Sequence, residues 1–220
     1  MWMDNWVLNL PKKLWPEFSL DAANKAPFLI RFFETQKNVV VLSSSNKAEK
    51  EVNEIECVKN NIPILQRKGG GGTVVLGNGC LILTFAFYGK DVFGNSKYFQ
   101  MINNLWIDSL EKAGCPKLNQ QGISDISYIN KKIAGTSIFR KKHLLVYQGS
   151  LLVNPNLDLI SKLLCHPSRE PEYREGRSHE QFLTTTQTLG CPLSASELAL
   201  FCQKYFEENV GQYFKNDVLI

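Results

Sequence analysis

Histidine and methionine are scarce, three of each in 220 residues, and no two cysteines stand in a CxxC pair. The six cysteines (Cys57, Cys80, Cys115, Cys165, Cys191, Cys202) are scattered, which argues against a zinc site or a secreted disulfide framework. No apolar run approaches the ~18 residues of a membrane span. The first residues, MWMDNWVLNLPKKLW, carry neither an uninterrupted apolar core nor a cleavage signature. These absences predict a cytoplasmic protein with reduced thiols and no membrane partner. A formal charge of +4 is mild, and no patch of Lys and Arg interleaved with aromatics marks a nucleic-acid surface. Two phosphate motifs are missing as well. No Gly-Lys-Ser/Thr closes a P-loop, and Val74 and Val75 stand where a GxGxxG pattern needs its third glycine.

What is present is a run of four glycines, Gly69–Gly72, in QRKGGGGTVVLGNGCLILTF (66–85). Strand-like segments, 62–66 and 73–76, flank it, so the glycines join two strands rather than a strand to a helix. Backbone without Cβ atoms lets N–H groups approach a ligand closely, and concave N–H arrays hold anions. Arg67 and Lys68 stand beside the run, and Arg suits bidentate phosphate contacts. A plain glycine-rich hairpin is the competing reading.

The length suits one domain over residues 1–220, with no appended C-terminal module. Residues 1–25 read as irregular, with Pro11 and Pro16 breaking any long helix. Strands are expected over 28–33 and 39–43, then a helix over 46–59 capped by Asn46 with Val52 and Ile55 as its apolar stripe. Cys80 to Tyr88 reads as a strand, and 97–113 as a helix whose Phe99, Ile102, Trp106 and Leu110 face a core. Three strand-like runs follow at 123–129, 133–139 and 143–153, then a short helix over 157–164. The charged stretch 166–181 reads as a loop or surface cover, with His179 on the surface. A capping box, Ser194 to Glu197, opens a last helix with the stripe Leu198, Phe201, Cys202 and Tyr205. The pattern implies an α+β fold, a mostly antiparallel mixed sheet packed with helices.

Asp125 and Lys132 lie seven residues apart in SDISYINKKIAGT (124–136). A turn at Ile129-Asn130 would put them on facing strands at one site. A lysine there can neutralise a carboxylate and a phosphate as they react, and an aspartate can help hold Mg²⁺. Alone, KKIAG would more simply be a solvated turn.

Three motifs in this order carry a family resemblance. Arg67 with Gly70, Gly71 and Gly72, then Asp125 with the Lys132 to Thr136 run, then Gln148-Gly149-Ser150-Leu151-Leu152 resemble the motifs of lipoate–protein ligases and octanoyl or lipoyl transferases, relatives of biotin protein ligase. The resemblance covers about residues 26–165 and implies a biotin/lipoate ligase-like, class II synthetase-like catalytic domain. It implies Lys132 as the catalytic residue, with Arg67, Gly70, Gly71, Gly72, Thr73, Asp125, Gly135, Thr136, Gly149 and Ser150 around the ligand and Asp125 toward Mg²⁺. Two departures stand out: Leu76 and Gln148 occupy places where the family usually has histidine.

A ligase would activate lipoate with ATP to lipoyl-AMP. It would then acylate a lysine of a lipoyl domain, of the 2-oxoacid dehydrogenase E2 or glycine-cleavage H protein type. A transferase would need no ATP and would use a cysteine, for which Cys165 is the candidate. A non-catalytic relative that binds an acyl-nucleotide is a third reading. Many family ligases carry an accessory domain, so a separate accessory protein is also implied.

Overall fold

The structure is a computed structural model and describes residues 27–35 and 37–219. The irregular stretch expected over 1–25 lies outside the described residues. The larger sheet runs β1 (Phe28–Glu34), β5 (Cys80–Tyr88), β9 (Leu144–Leu152), β8 (Lys131–Lys141), β7 (Asp125–Tyr128), β6 (Asn119–Gln121), all neighbours antiparallel. A smaller sheet sets β2 (Val39–Leu42) between β3 (Ile64–Gln66), parallel to it, and β4 (Val74–Leu76), antiparallel. The expected α+β class with a mostly antiparallel sheet is the observed one.

Alternation along β5 divides the molecule. Leu81, Leu83, Phe85 and Phe87 join Trp106 of α3 (Asn95–Lys112) and Phe206 of α6 (Ala195–Tyr213) in the main core. Burying each such side chain contributes roughly 1.5–3 kcal/mol. Ile82 takes the opposite face, where Val39, Val41 and Leu76 of the small sheet meet it. The space between the two sheets is where the glycine loop lies.

Several expectations need correction. The glycine loop does not close a hairpin, because β3 and β4 are separated by β2. The helix expected over 46–59 is two short ones, α1 (Ala48–Glu51) and α2 (Glu54–Lys59). Val52 is extended between them, buried, and bridged to Leu164. Asn53, not Asn46, caps α2 by accepting from Glu56 N–H, and Ile55 is 79% exposed, outside any stripe. The closing helix buries Ala195, Leu198, Cys202, Phe206 and Val210, while Phe201 sits at the margin, stacked on Tyr205. Its capping box forms with both bonds, as does an unread one at Ser178 and Gln181. That second box opens α5 (His179–Phe182), which follows α4 (Leu157–Leu163) and a 3₁₀ turn, Glu172–Arg174. The stretch 166–181 is therefore a folded cover.

Candidate active site

A cavity of about 920 Å³ lies between the sheets and under this cover. It is lined by Arg67, Gly70, Gly71, Gly72 and Thr73 of the glycine loop, Asp125, Lys132, Gly135 and Thr136 of the β7–β8 hairpin, and Gly149 and Ser150 of β9. Every site residue the sequence offered except Cys165 thus borders one space.

The hairpin turns at Ile129-Asn130 as its spacing implied. A bulge between Ile126 and Ser127 shifts the register, so that Ile126 pairs with Ala134 but Ser127 with Lys132. Ile133 and Ala134 are both fully buried at this irregularity. The Lys132 side chain then lies back across Gly135, whose added Cβ would stand 3.0 Å from Nζ. Glycine at 135 is what lets the ammonium reach Asp125, 2.8 Å from Nζ to Oδ1. The other carboxylate oxygen accepts from Tyr173 Oη at 3.0 Å.

Arg67 organises the glycine loop. Its Nη2 donates to Gly70 O at 2.7 Å and Gly72 O at 2.8 Å, and Nη1 to Val41 O at 3.4 Å. It is only 7% exposed, Nε has no partner, and no carboxylate pairs with it among the described residues. Burial pulls its pKa down to about 10, so it remains a cation at neutral pH. Gly71 is left-handed at φ +94, which explains a glycine there, whereas a Cβ on Gly70 or Gly72 would meet nothing within 4 Å. None of the N–H groups of Gly69 to Gly72 is donated to an acceptor among the described residues.

Other expected binders have structural partners. Thr73 donates to Glu51 Oε2 at 3.3 Å and accepts from the Asn46 amide at 3.1 Å. The Thr136 hydroxyl is committed to Ser124 O at 2.8 Å. Gly149 is a glycine because Trp106 abuts it: a Cβ would stand 2.4 Å from Cζ3. Phe99, expected in the core, is partly buried and borders the cavity. Cys165 is exposed and does not line it.

Sequence reasoning missed what the cover supplies. Tyr173, Arg174, His179 and Phe182 all line the cavity. Arg174 is 5% exposed, bound to Glu170 at 3.3 Å and stacked over Phe182, with Nη2 unpartnered. His179, expected at the surface, is half-buried. Burial, with Arg174, His166 and Lys132 adding like charge, pulls its pKa to about 4, so it is neutral at pH 7. Burial, then the Asp125 charge, pushes the Tyr173 phenol well up, so it donates at any physiological pH. Buried Glu51 accepts from Ser168 Oγ at 2.6 Å, tying the cover to α1. The Ser178-x-x-Gln181 capping signature was the readable hint of this order.

Magnesium fits this donor set poorly. Both oxygens of Asp125 are engaged by Lys132 and Tyr173, and no group of three or more His, Cys, Asp or Glu suited to a metal occurs among the described residues.

Residues 14–207 match the model of the lipoyl protein ligase A/B catalytic domain. Lipoate–protein ligase 1 of Staphylococcus aureus is 28% identical over 134 residues, covering 60% of this chain and 39% of the relative. This chain thus spans well under half the length of that curated relative. Lipoate-protein ligase A subunit 1 of Thermoplasma acidophilum is 25% identical over 201 residues, 87% of this chain and 75% of that one. Among solved structures, the bipartite lipoate protein ligase of T. acidophilum, studied with its E2 lipoyl domain, superposes with a TM-score of 0.75 at 21% identity over 90% of this chain and 76% of that one. A lipoate-protein ligase A bound with ATP gives 0.71 at 22% identity over 84% and 74%. With the model matching most of its length, the chain belongs to the lipoyl protein ligase A/B catalytic-domain family.

Proposed function

We propose that the chain is the catalytic part of an ATP-dependent lipoate–protein ligase. One observation carries the reading. Among the described residues the glycine loop has N–H groups with no acceptor and a buried Arg67 with no counter-ion, and it borders the same cavity as the Lys132–Asp125 pair. A buried guanidinium without a counter-charge is costly unless an anion completes it, and open backbone N–H groups beside it can hold that anion.

In the first half-reaction a lipoate carboxylate oxygen attacks the α-phosphorus of ATP and pyrophosphate leaves. The Lys132 ammonium, handed from Asp125 to the ligand, offsets the charge gathering on carboxylate and phosphate. In the second, a lysine amine of a lipoyl domain attacks the acyl carbon and AMP leaves. Lys132 serves again by stabilising the departing phosphate. Tyr173 keeps Asp125 in place during the exchange.

Relatives support the reading by what they hold: lipoic acid in one T. acidophilum structure and ATP in another ligase A. The archaeal system pairs a bipartite ligase with an E2 lipoyl domain. A lipoyl domain is accordingly the proposed acceptor, and a separate accessory protein the proposed partner. The position of Cys165 outside the cavity lining weighs against a cysteine-dependent transferase. The test is the intact mass of a lipoyl domain after incubation with the protein, lipoate and ATP-Mg²⁺. One added lipoyl group, absent without ATP, supports the ligase; acylation from octanoyl-carrier protein without ATP overturns it.

A further inference from the structure

Direct cross-strand partners share one face of a sheet. On the face opposite the main core, Arg31, Thr84, Gln148 and Ser137 form one row across four strands. The neighbouring row is Phe33, Ile82, Ser150 and Gly135. The Lys132 ammonium lies over Gly135, at the charged end of the second row. Gln148 is one row along and one strand over, about 7 Å by about 5 Å, or roughly 9 Å away. Seven C–C bonds of about 1.5 Å, zigzagged, span roughly 9 Å, so an eight-carbon acyl chain held at Lys132 reaches Gln148.

The walls on that side are apolar. Val41, Leu76 and Ile82 are 0%, 3% and 3% exposed and line the cavity. The glycine loop stands over Ser137, whose Oγ is 3.2 Å from a Cβ built on Gly69. The cavity's other direction, past Ser150, meets Leu152, Ile160 and Leu164 but also Ser168 and the charged Glu51 and Arg169, whereas the wall toward Gln148 carries no charged side chain from Val41, Leu76 or Ile82. Besides Ser137 under the glycine loop, Gln148 is the polar side chain that faces this slot. It is half-buried, borders the cavity, and its side-chain amide makes no hydrogen bond among the described residues.

Resting on the ligase reading, we propose that Gln148 determines which acyl tail the slot accepts, favouring a dithiolane ring over an all-carbon end of the same length. A bound tail strips water from the amide. A hydrocarbon end leaves its N–H unpaired, whereas a ring sulfur accepts weakly. A site with a polar group to satisfy rejects an analogue that cannot satisfy it.

The test is calorimetric titration of the full chain with lipoate and with octanoate, in wild type, Gln148→Leu and Gln148→Met. The unbranched methionine variant conserves volume should leucine not fold. Wild type is expected to bind lipoate about tenfold more tightly than octanoate, and the variants to lose that preference by gaining octanoate affinity. An unchanged lipoate-to-octanoate ratio in the folded variants overturns the assignment of Gln148 while leaving the ligase reading standing. Wild type that binds neither acid overturns both.

Discussion

Tyr173 donates to Asp125 Oδ2 over 3.0 Å, joining the cover of the cavity to the strand hairpin that carries Lys132. The same cover reaches the hairpin turn, where Arg177 Nη1 donates to Asn130 O at 2.9 Å. Order in this stretch and the placement of the ion pair are therefore one structural event. Gly122, left-handed and packed against Pro171 and Tyr173, holds the far side of the contact.

Tyr173→Phe keeps the ring against Phe182 and removes only the hydroxyl. A hydrogen bond to a charged group contributes ~1.5–3 kcal/mol. Lipoyl transfer by Tyr173→Phe is expected to fall by roughly tenfold or more, with the fold retained by circular dichroism. Unaltered kcat/KM would remove Tyr173 from the positioning role.

The glycine loop separates backbone need from ligand space. Gly71→Val should destabilise the loop itself, because φ is +94 and its Cβ would stand 3.1 Å from Arg67 Nη2. Gly72→Val has open space for its Cβ and should melt close to wild type. It should still lose affinity for an acyl-adenylate analogue in calorimetric titration. Full affinity in Gly72→Val would leave the loop as a structural turn.

How much of this was legible follows from which forces act locally. The apolar run over 80–88 and the strand-like run over 143–153 exposed β5 and β9, and the seven-residue spacing of Asp125 and Lys132 exposed their hairpin. The bulge at Ile126/Ser127 was not legible, because the extra residue is set by packing of Ile133 and Ala134 on the core. The order β3-β2-β4 was hidden too, since a glycine loop between two strands reads the same whether they pair or not. The break at Val52 comes from its distant bridge to Leu164. His179 and Tyr173 sit among charges and prolines, so only tertiary folding over the cavity buries them.

His179 predicts a pH dependence of stability. Its pKa is near 4 in the folded chain against about 6.5 unfolded. Between those values the unfolded chain binds the extra proton, so stability is full above pH 6.5 and declines as pH falls toward 4. Urea midpoints at pH 7 and pH 4.5 should differ less in His179→Gln than in wild type. An equal difference would show that His179 does not contribute to it.

Cys165→Ser should retain most transfer activity, since the thiol is exposed and does not line the cavity. A hydroxylamine-sensitive acyl adduct on Cys165, formed without ATP, would instead identify a thiol enzyme.

Lipoate-dependent release of pyrophosphate from ATP reads directly whether Lys132 carries the acyl-phosphate chemistry. Wild type and Lys131→Ala, whose lysine sits exposed at the start of β8, should both release it. Lys132→Ala should fall by about 10²-fold or more while its thermal midpoint shows a folded protein. Near wild-type release by Lys132→Ala would show that another group carries this chemistry.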